Sequence, residues 1–209
     1  MNTDWILYFG YGSLVNRNTR PAGEVAHSAR LRGWQRVWDH RVTDPNRDKQ
    51  CTSLSIEPAP GMAIEGVVVR LEADGLPQLD ERESGYDRLC LSVSDFDLPV
   101  ELMEQMASEG VADSIMVYRS QPQNRFLADT HYSILQSYID CVMAGYLYRF
   151  GEEGVQDLVR STRGWERSVC NDRIEPFYPR WVQVSQADQH YFDDSVNAHL
   201  KQQGQQRLA

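Results

Sequence analysis

A chain of 209 residues, 41% apolar and 24% charged, can bury one substantial core and has an ordinary globular composition. Its 30 acidic residues outnumber 21 basic ones, for a net charge of -9, and no dense Lys/Arg run occurs. That balance excludes the electrostatic footprint of a nucleic-acid or anionic-membrane binder and leaves a small molecule as the expected partner.

Asp4 precedes a short apolar run without a basic leader, so neither a signal peptide nor a membrane span is expected, and cytoplasmic residence is the default. Trp5 to Phe9 are β-formers and read as a buried strand. The strand runs into Gly10-Tyr11-Gly12-Ser13-Leu14, where two glycines let backbone N–H groups turn toward an anionic or carbonyl oxygen. Val15 to Gly23 is polar and reads as a loop or an irregular helical turn.

Glu24 to Val37 suits a long strand bending at Gly33, and Asp39 to Gln50, with Asp44-Pro45-Asn46, suits a surface loop. Thr52 to Ile56 and Ala63 to Leu71 predict a hairpin turning at Glu57-Pro58-Ala59-Pro60-Gly61. Pro77 opens a short helix through Glu83. Tyr86 to Val93 and Asp113 to Tyr118 read as strands on either side of a polar helical turn around Glu101 to Ser108.

Beyond residue 130 the period becomes helical, with Ile134, Leu135, Tyr138, Ile139, Val142 and Met143 on one face. Thr130 or Ser133 is available as the N-cap and Gly151 as the stop. Glu152 to Ser161 forms a second helix. Asn171 to Trp181, rich in Pro and aromatics, lies irregularly across the body, where packing is expected of it more than capping a pocket. Gln186 to Gln203 forms a last amphipathic helix before a frayed tail. The chain divides into a β-rich core, 1–128, and a helical C-terminal extension, 129–209, within one domain.

Cys51, Cys90, Cys141 and Cys170 include no C-x-x-C pair, and the five histidines show no ligand spacing, so no metal is expected. The glycine turn lacks the third glycine of a dinucleotide fingerprint, the Gly-Lys-Ser/Thr of a phosphate loop and the G-x-S-x-G of a nucleophile elbow. By itself it is equally a strand-ending turn. Leu79-Asp80-Glu81-Arg82-Glu83 is, by itself, a solvated acidic turn. On a helix only one of Glu81 and Glu83 can enter a site.

Together the two segments resemble the γ-glutamylcyclotransferase superfamily, whose members include avirulence-induced-gene-like proteins. There a Y-G-S-(N)-L loop follows the first strand and a single Glu lies in an L-D-x-x-E segment. The resemblance implies an α+β fold, with a mixed, mainly antiparallel barrel-like core and flanking and C-terminal helices. It places the catalytic acid/base on Glu83 and γ-glutamyl binding on Tyr11, Gly12, Ser13 and Leu14, with Tyr118 on a late core strand as a further substrate contact. It implies cofactor-independent release of 5-oxoproline from a small γ-glutamyl amino acid, amine or peptide. Glutathione-specific members resemble Y-G-S-L-I-W, whereas Val15 and Asn16 follow Leu14 here, which makes glutathione the less expected substrate. A non-catalytic binding module on the same fold is the alternative, and oligomeric state is not legible.

Overall fold

The structure is a computed structural model that describes residues 5–21, 23–42, 50–111, 113–126 and 131–208. Its strands up to residue 120 are β1 (Trp5–Gly10), β2 (Ala26–Val42), β3 (Gln50–Glu72), β4 (Tyr86–Ser92), β5 (Phe96–Asp97) and β6 (Ser114–Ser120). They form one sheet in the order β4-β6-β1-β3-β2-β5. All these pairs are antiparallel except β1 with β6. β1 sits inside the sheet, which explains why its apolar run does not alternate with polar residues: both faces are covered.

The expected hairpin within residues 52–71 is absent. β3 is one continuous strand paired with β2 along most of its length. The register passes from Arg32 opposite Ala63 to Trp34 opposite Pro58, so Ala59 to Met62 bulge out against Gly33 alone. Pro58 and Pro60 cannot donate to a ladder, and Gly33 and Gly61 both take positive φ there. The turn residues mark a bulge, because pairing on either side of them outweighs the local tendency to reverse.

β2 also runs on to Val42, through the first residues of the expected surface loop. The Asp44-Pro45-Asn46 part of that expectation lies outside the described residues.

Helix α1 (Leu76–Arg82) follows β3 with Pro77 in its first turn, and α2 (Val100–Glu109) buries Leu102 and Met106. The strand β7 (Tyr132–Leu135) takes Ile134 and Leu135 out of the expected helix. They pair with β3 and with β9 (Val169–Cys170), and β8 (Thr162–Arg163) pairs with β2. Ser133 therefore lies in a strand, and Thr130 is outside the described residues. Helix α3 (Gln136–Arg160) begins directly after β7 and is broken at Gly151, whose φ of 70° and ψ of -165° are not helical.

Helix α4 (Gln186–Gln202) is capped by the Ser185 side chain, which accepts from Asp188 N, and it packs on α3 through Phe192, Val196 and Leu200. After it, Leu208 N donates to Glu166 O at 2.6 Å, so this part of the tail is tied back to the body. Among the described residues no helix is long and apolar enough to cross a membrane.

Candidate active site

The glycine turn leaves β1 as two 3₁₀ turns, Ser13–Val15 and Arg17–Thr19. Val15 N donates to Gly12 O and Asn16 N to Ser13 O, both at 3.0 Å. The N–H groups of Ser13 and Leu14 open the first turn and so have no acceptor within it.

A buried cation sets the turn from beneath. Arg36, on β2, is wholly buried and donates from Nε to Tyr11 O at 3.0 Å. Its other nitrogens reach Ser161 Oγ, Glu65 O and the Tyr146 hydroxyl. That hydroxyl also lies 3.0 Å from Tyr11 O and 2.7 Å from Glu65 O. The peptide is trans, so a carbonyl held toward Arg36 directs the Gly12 N–H away from it.

α3 closes on the turn from the side, and Asn16 Nδ2 donates to Cys141 O at 2.8 Å. A Cβ on Gly145 would lie 2.7 Å from Asn16 N and 2.8 Å from Asn16 Cα, so only glycine permits this approach.

Glu83 caps α1 at its C-terminal end, its N–H donating to Leu79 O at 2.9 Å. Leu79 is buried in the core and Glu81 is exposed, which turns Glu83 inward. The helix is held in that rotation by Asp80, whose carboxylate accepts from the Tyr118 hydroxyl and from Arg88, both at 2.6 Å.

Glu83 shares a recess of about 30 Å³ with Tyr11, Gly12, Ser13, Leu14 and Tyr118, so the structure brings all the sequence-predicted site residues together. Their parts differ, however. The Tyr11 hydroxyl donates to Tyr118 O at 2.7 Å and the Tyr118 hydroxyl is taken by Asp80, so these two tyrosines offer walls and backbone to the recess.

Burial pushes the Glu83 carboxyl above the usual range, against the opposing pull of the Arg82 and Arg180 guanidinium groups. Its side chain is 17% exposed, and Arg82 Nε stands 3.2 Å from Oε1. That contact is an ion pair without hydrogen-bond alignment: Arg82 Nε and Nη2 are buried with no hydrogen-bond partner, while Nη1 donates to Thr19 O at 2.5 Å. Burial likewise raises the Tyr11, Tyr86 and Tyr138 phenols well above their ordinary value, so all three stay protonated.

Ser13, Glu83, Tyr86 and Tyr138 also border an adjoining chamber of about 230 Å³, which carries Arg82, Tyr178 and Arg180 on its walls. Asn171 to Trp181 is irregular, as expected, yet its Tyr178-Pro179-Arg180 stretch forms part of this chamber instead of only packing. A larger groove of about 740 Å³ lies against Tyr8, Glu24, Arg70 and Leu79, but it holds neither Glu83 nor the Tyr11 to Ser13 backbone. The smaller site is the one where an acid and the glycine turn meet.

Sequence reasoning missed Arg36, Tyr138, Tyr146, Tyr178 and Arg180. Alternation offered a signal for Arg36, which lies between Trp34 and Trp38 on one face of a strand. Among the described residues no group of three or more His, Cys, Asp or Glu is placed to hold a metal ion.

The architecture is a mixed α+β fold of the γ-glutamylcyclotransferase-like type, with a curled, mostly antiparallel sheet and, among the described residues, four α-helices. The human uncharacterized protein loc79017 matches at a TM-score of 0.56 and 18% identity, over 91% of this chain and 99% of that one. A structure described as a gamma-glutamyl cyclotransferase matches at 0.55 and 18%, over the same shares. YkqA from Bacillus subtilis matches at 0.53 and 19%, over 76% of this chain and 54% of its own. No protein-family model and no curated protein matches the chain by sequence.

Proposed function

We propose that the protein cyclises a γ-glutamyl compound to 5-oxoproline and releases the attached amine, with Glu83 as general acid/base. The observation that carries this reading is one largely buried carboxylate sharing a recess with the glycine turn, on a fold that a gamma-glutamyl cyclotransferase also has.

The substrate's α-nitrogen attacks its own γ-carbonyl carbon, a carbon–nitrogen bond forms, and the amide bond to the leaving nitrogen breaks. The α-nitrogen gives up two protons in becoming the ring amide N–H, and the leaving nitrogen gains two in becoming an ammonium, so protons balance. A carboxylate raised toward neutral pH is a stronger base toward the α-ammonium than an ordinary one, and its protonated form then serves the leaving nitrogen.

The N–H groups of Ser13 and Leu14 are the donors for the tetrahedral oxyanion, where one well-placed donor contributes about 2.7–4 kcal/mol. Nucleophile and electrophile belong to one molecule, so the site's main task is to fold the glutamyl chain into a near-attack conformer. The Arg82 guanidinium, beside Glu83, is placed for the α-carboxylate that accompanies the α-ammonium.

Release of 5-oxoproline across a γ-glutamyl panel tests the reading. Glu83→Gln is expected to lose at least about 10²-fold in turnover, while Glu81→Gln retains it. Unchanged turnover in Glu83→Gln removes the assignment. Ligand-induced thermal stabilisation with no product across the panel points instead to a binding module.

A further inference from the structure

The chamber is basic in an acidic protein. In a chain of net charge -9, its walls carry two arginines and a single carboxylate, Glu83. His40, also in the wall, is held neutral by burial, which pushes its imidazole down to about 4. The Tyr178 hydroxyl is buried and makes no aligned hydrogen bond, with the Ser13 and Arg180 side chains beside it. Arg180 is exposed at the chamber wall, lies 5.6 Å from the Tyr178 ring centroid and forms no ion pair among the described residues. Buried polar atoms without an aligned protein partner mark where a polar ligand group fits.

The segment that carries these two residues is fastened in place. Buried Asp172 accepts from Ser137 N at 2.8 Å, Ser137 Oγ at 2.6 Å and Phe177 N at 2.8 Å. Arg173 forks onto Asp140 and Asp193 with four hydrogen bonds of 2.7–3.0 Å. Tyr178 and Arg180 thus stand at the end of a built wall.

We infer that Arg180 and Tyr178 read a carboxylate on the part of the substrate that leaves, making the preferred substrates γ-glutamyl amino acids or peptides with a free carboxylate, over γ-glutamyl amines. This rests on the cyclisation reading of the same site. The glutamyl α-carboxylate is one carbon from the α-ammonium, and the cation adjoining Glu83 is Arg82. Arg180, in the chamber beyond, is then left for the released group. A guanidinium suits a carboxylate through parallel N–H bonds, and the phenol adds a donor.

The test compares kcat/KM for γ-glutamyl-alanine, its C-terminal amide and γ-glutamyl-ethylamine, read as 5-oxoproline, in the wild type, Arg180→Gln and Tyr178→Phe. The acid is expected to be preferred about tenfold over the amide, and Arg180→Gln to bring the two together. Arg180→Lys, which keeps the charge and loses the fork, is expected to fall between. Equal wild-type turnover of acid and amide overturns this inference and leaves cyclisation standing. A preference that survives in Arg180→Gln overturns the assignment to Arg180. No 5-oxoproline from any compound overturns the cyclisation reading, and this inference with it.

Discussion

Replacing Arg36 by methionine removes the buried guanidinium while keeping most of the side chain's volume. Four acceptors lose a donor: Tyr11 O, Glu65 O, Ser161 Oγ and the Tyr146 hydroxyl oxygen. The Tyr146 hydroxyl has one proton and two carbonyls within reach, Tyr11 O and Glu65 O, so one of these loses both its donors. Ser161 Oγ keeps its bond to Asp157 O at 2.6 Å.

An orphaned buried carbonyl costs about 1–3 kcal/mol, and the other lost bonds bring the expected destabilisation to about 2–4 kcal/mol. Relief of the cation's own desolvation opposes this and keeps the figure from rising further. Urea unfolding of Arg36→Met beside Arg163→Met measures it. Arg163 is 55% exposed and pairs with Glu57 at 2.8 Å, so its loss is expected to cost under about 1 kcal/mol. If the two variants are equally stable, Arg36 does not hold the glycine turn. If it does hold it, turnover also falls by about tenfold or more, since the Tyr11 carbonyl sets the neighbouring amides.

Three further outcomes follow from groups around the site. Glu83 is raised by burial, so its contribution to stability is present below the unfolded value, about 4.3, and is lost as pH rises through the folded one. Glu83→Gln is therefore expected to match wild type near pH 4 and to exceed its stability at pH 7 in urea melts, and a less stable variant at pH 7 contradicts the burial argument. His40 is depressed to about 4, so its contribution is complete above about 6.5 and declines as pH falls toward 4. Its imidazole resonances are expected to stay in the neutral position down to pH 5, and a midpoint near 6.5 by NMR would falsify this. Gly145→Ala should destabilise by about 1–3 kcal/mol, although alanine is the better helix former by about 1 kcal/mol, because the added carbon meets the Asn16 backbone. A thermal midpoint at or above wild type would show that α3 and the turn separate freely.

What sequence made legible was local. The apolar run to Phe9, the glycines after it and the Leu79 and Glu83 spacing each express their geometry within a few residues. Residues 57–61 misled because proline and glycine signal a reversal locally, while pairing between β2 and β3 keeps the strand going. Ile134 and Leu135 fit a helical face, yet their partners are Thr52, Val169 and Cys170, which no periodicity announces. The basic side of the chamber was hidden for the same reason: Arg180 in Pro179-Arg180-Trp181 acquires meaning only when Asp172 fixes its segment against Ser137.

The fastening of the glycine turn also has a kinetic side. Tyr146 lies 135 residues from the Tyr11 carbonyl it contacts, and Ser161 lies 125 residues from Arg36. Closing such long loops is slow and is rewarded only after most of the sheet has paired. The fastening of the turn therefore waits on the docking of α3, which carries Tyr146 and ends at Ser161. On a ribosome, the first strand emerges long before the helix that aligns its end. A fragment stopping at residue 128 would have the glycine turn and Glu83 but lack Tyr138, Tyr146, Tyr178 and Arg180, so the walls of the recess and chamber are complete only once the chain beyond residue 131 has docked.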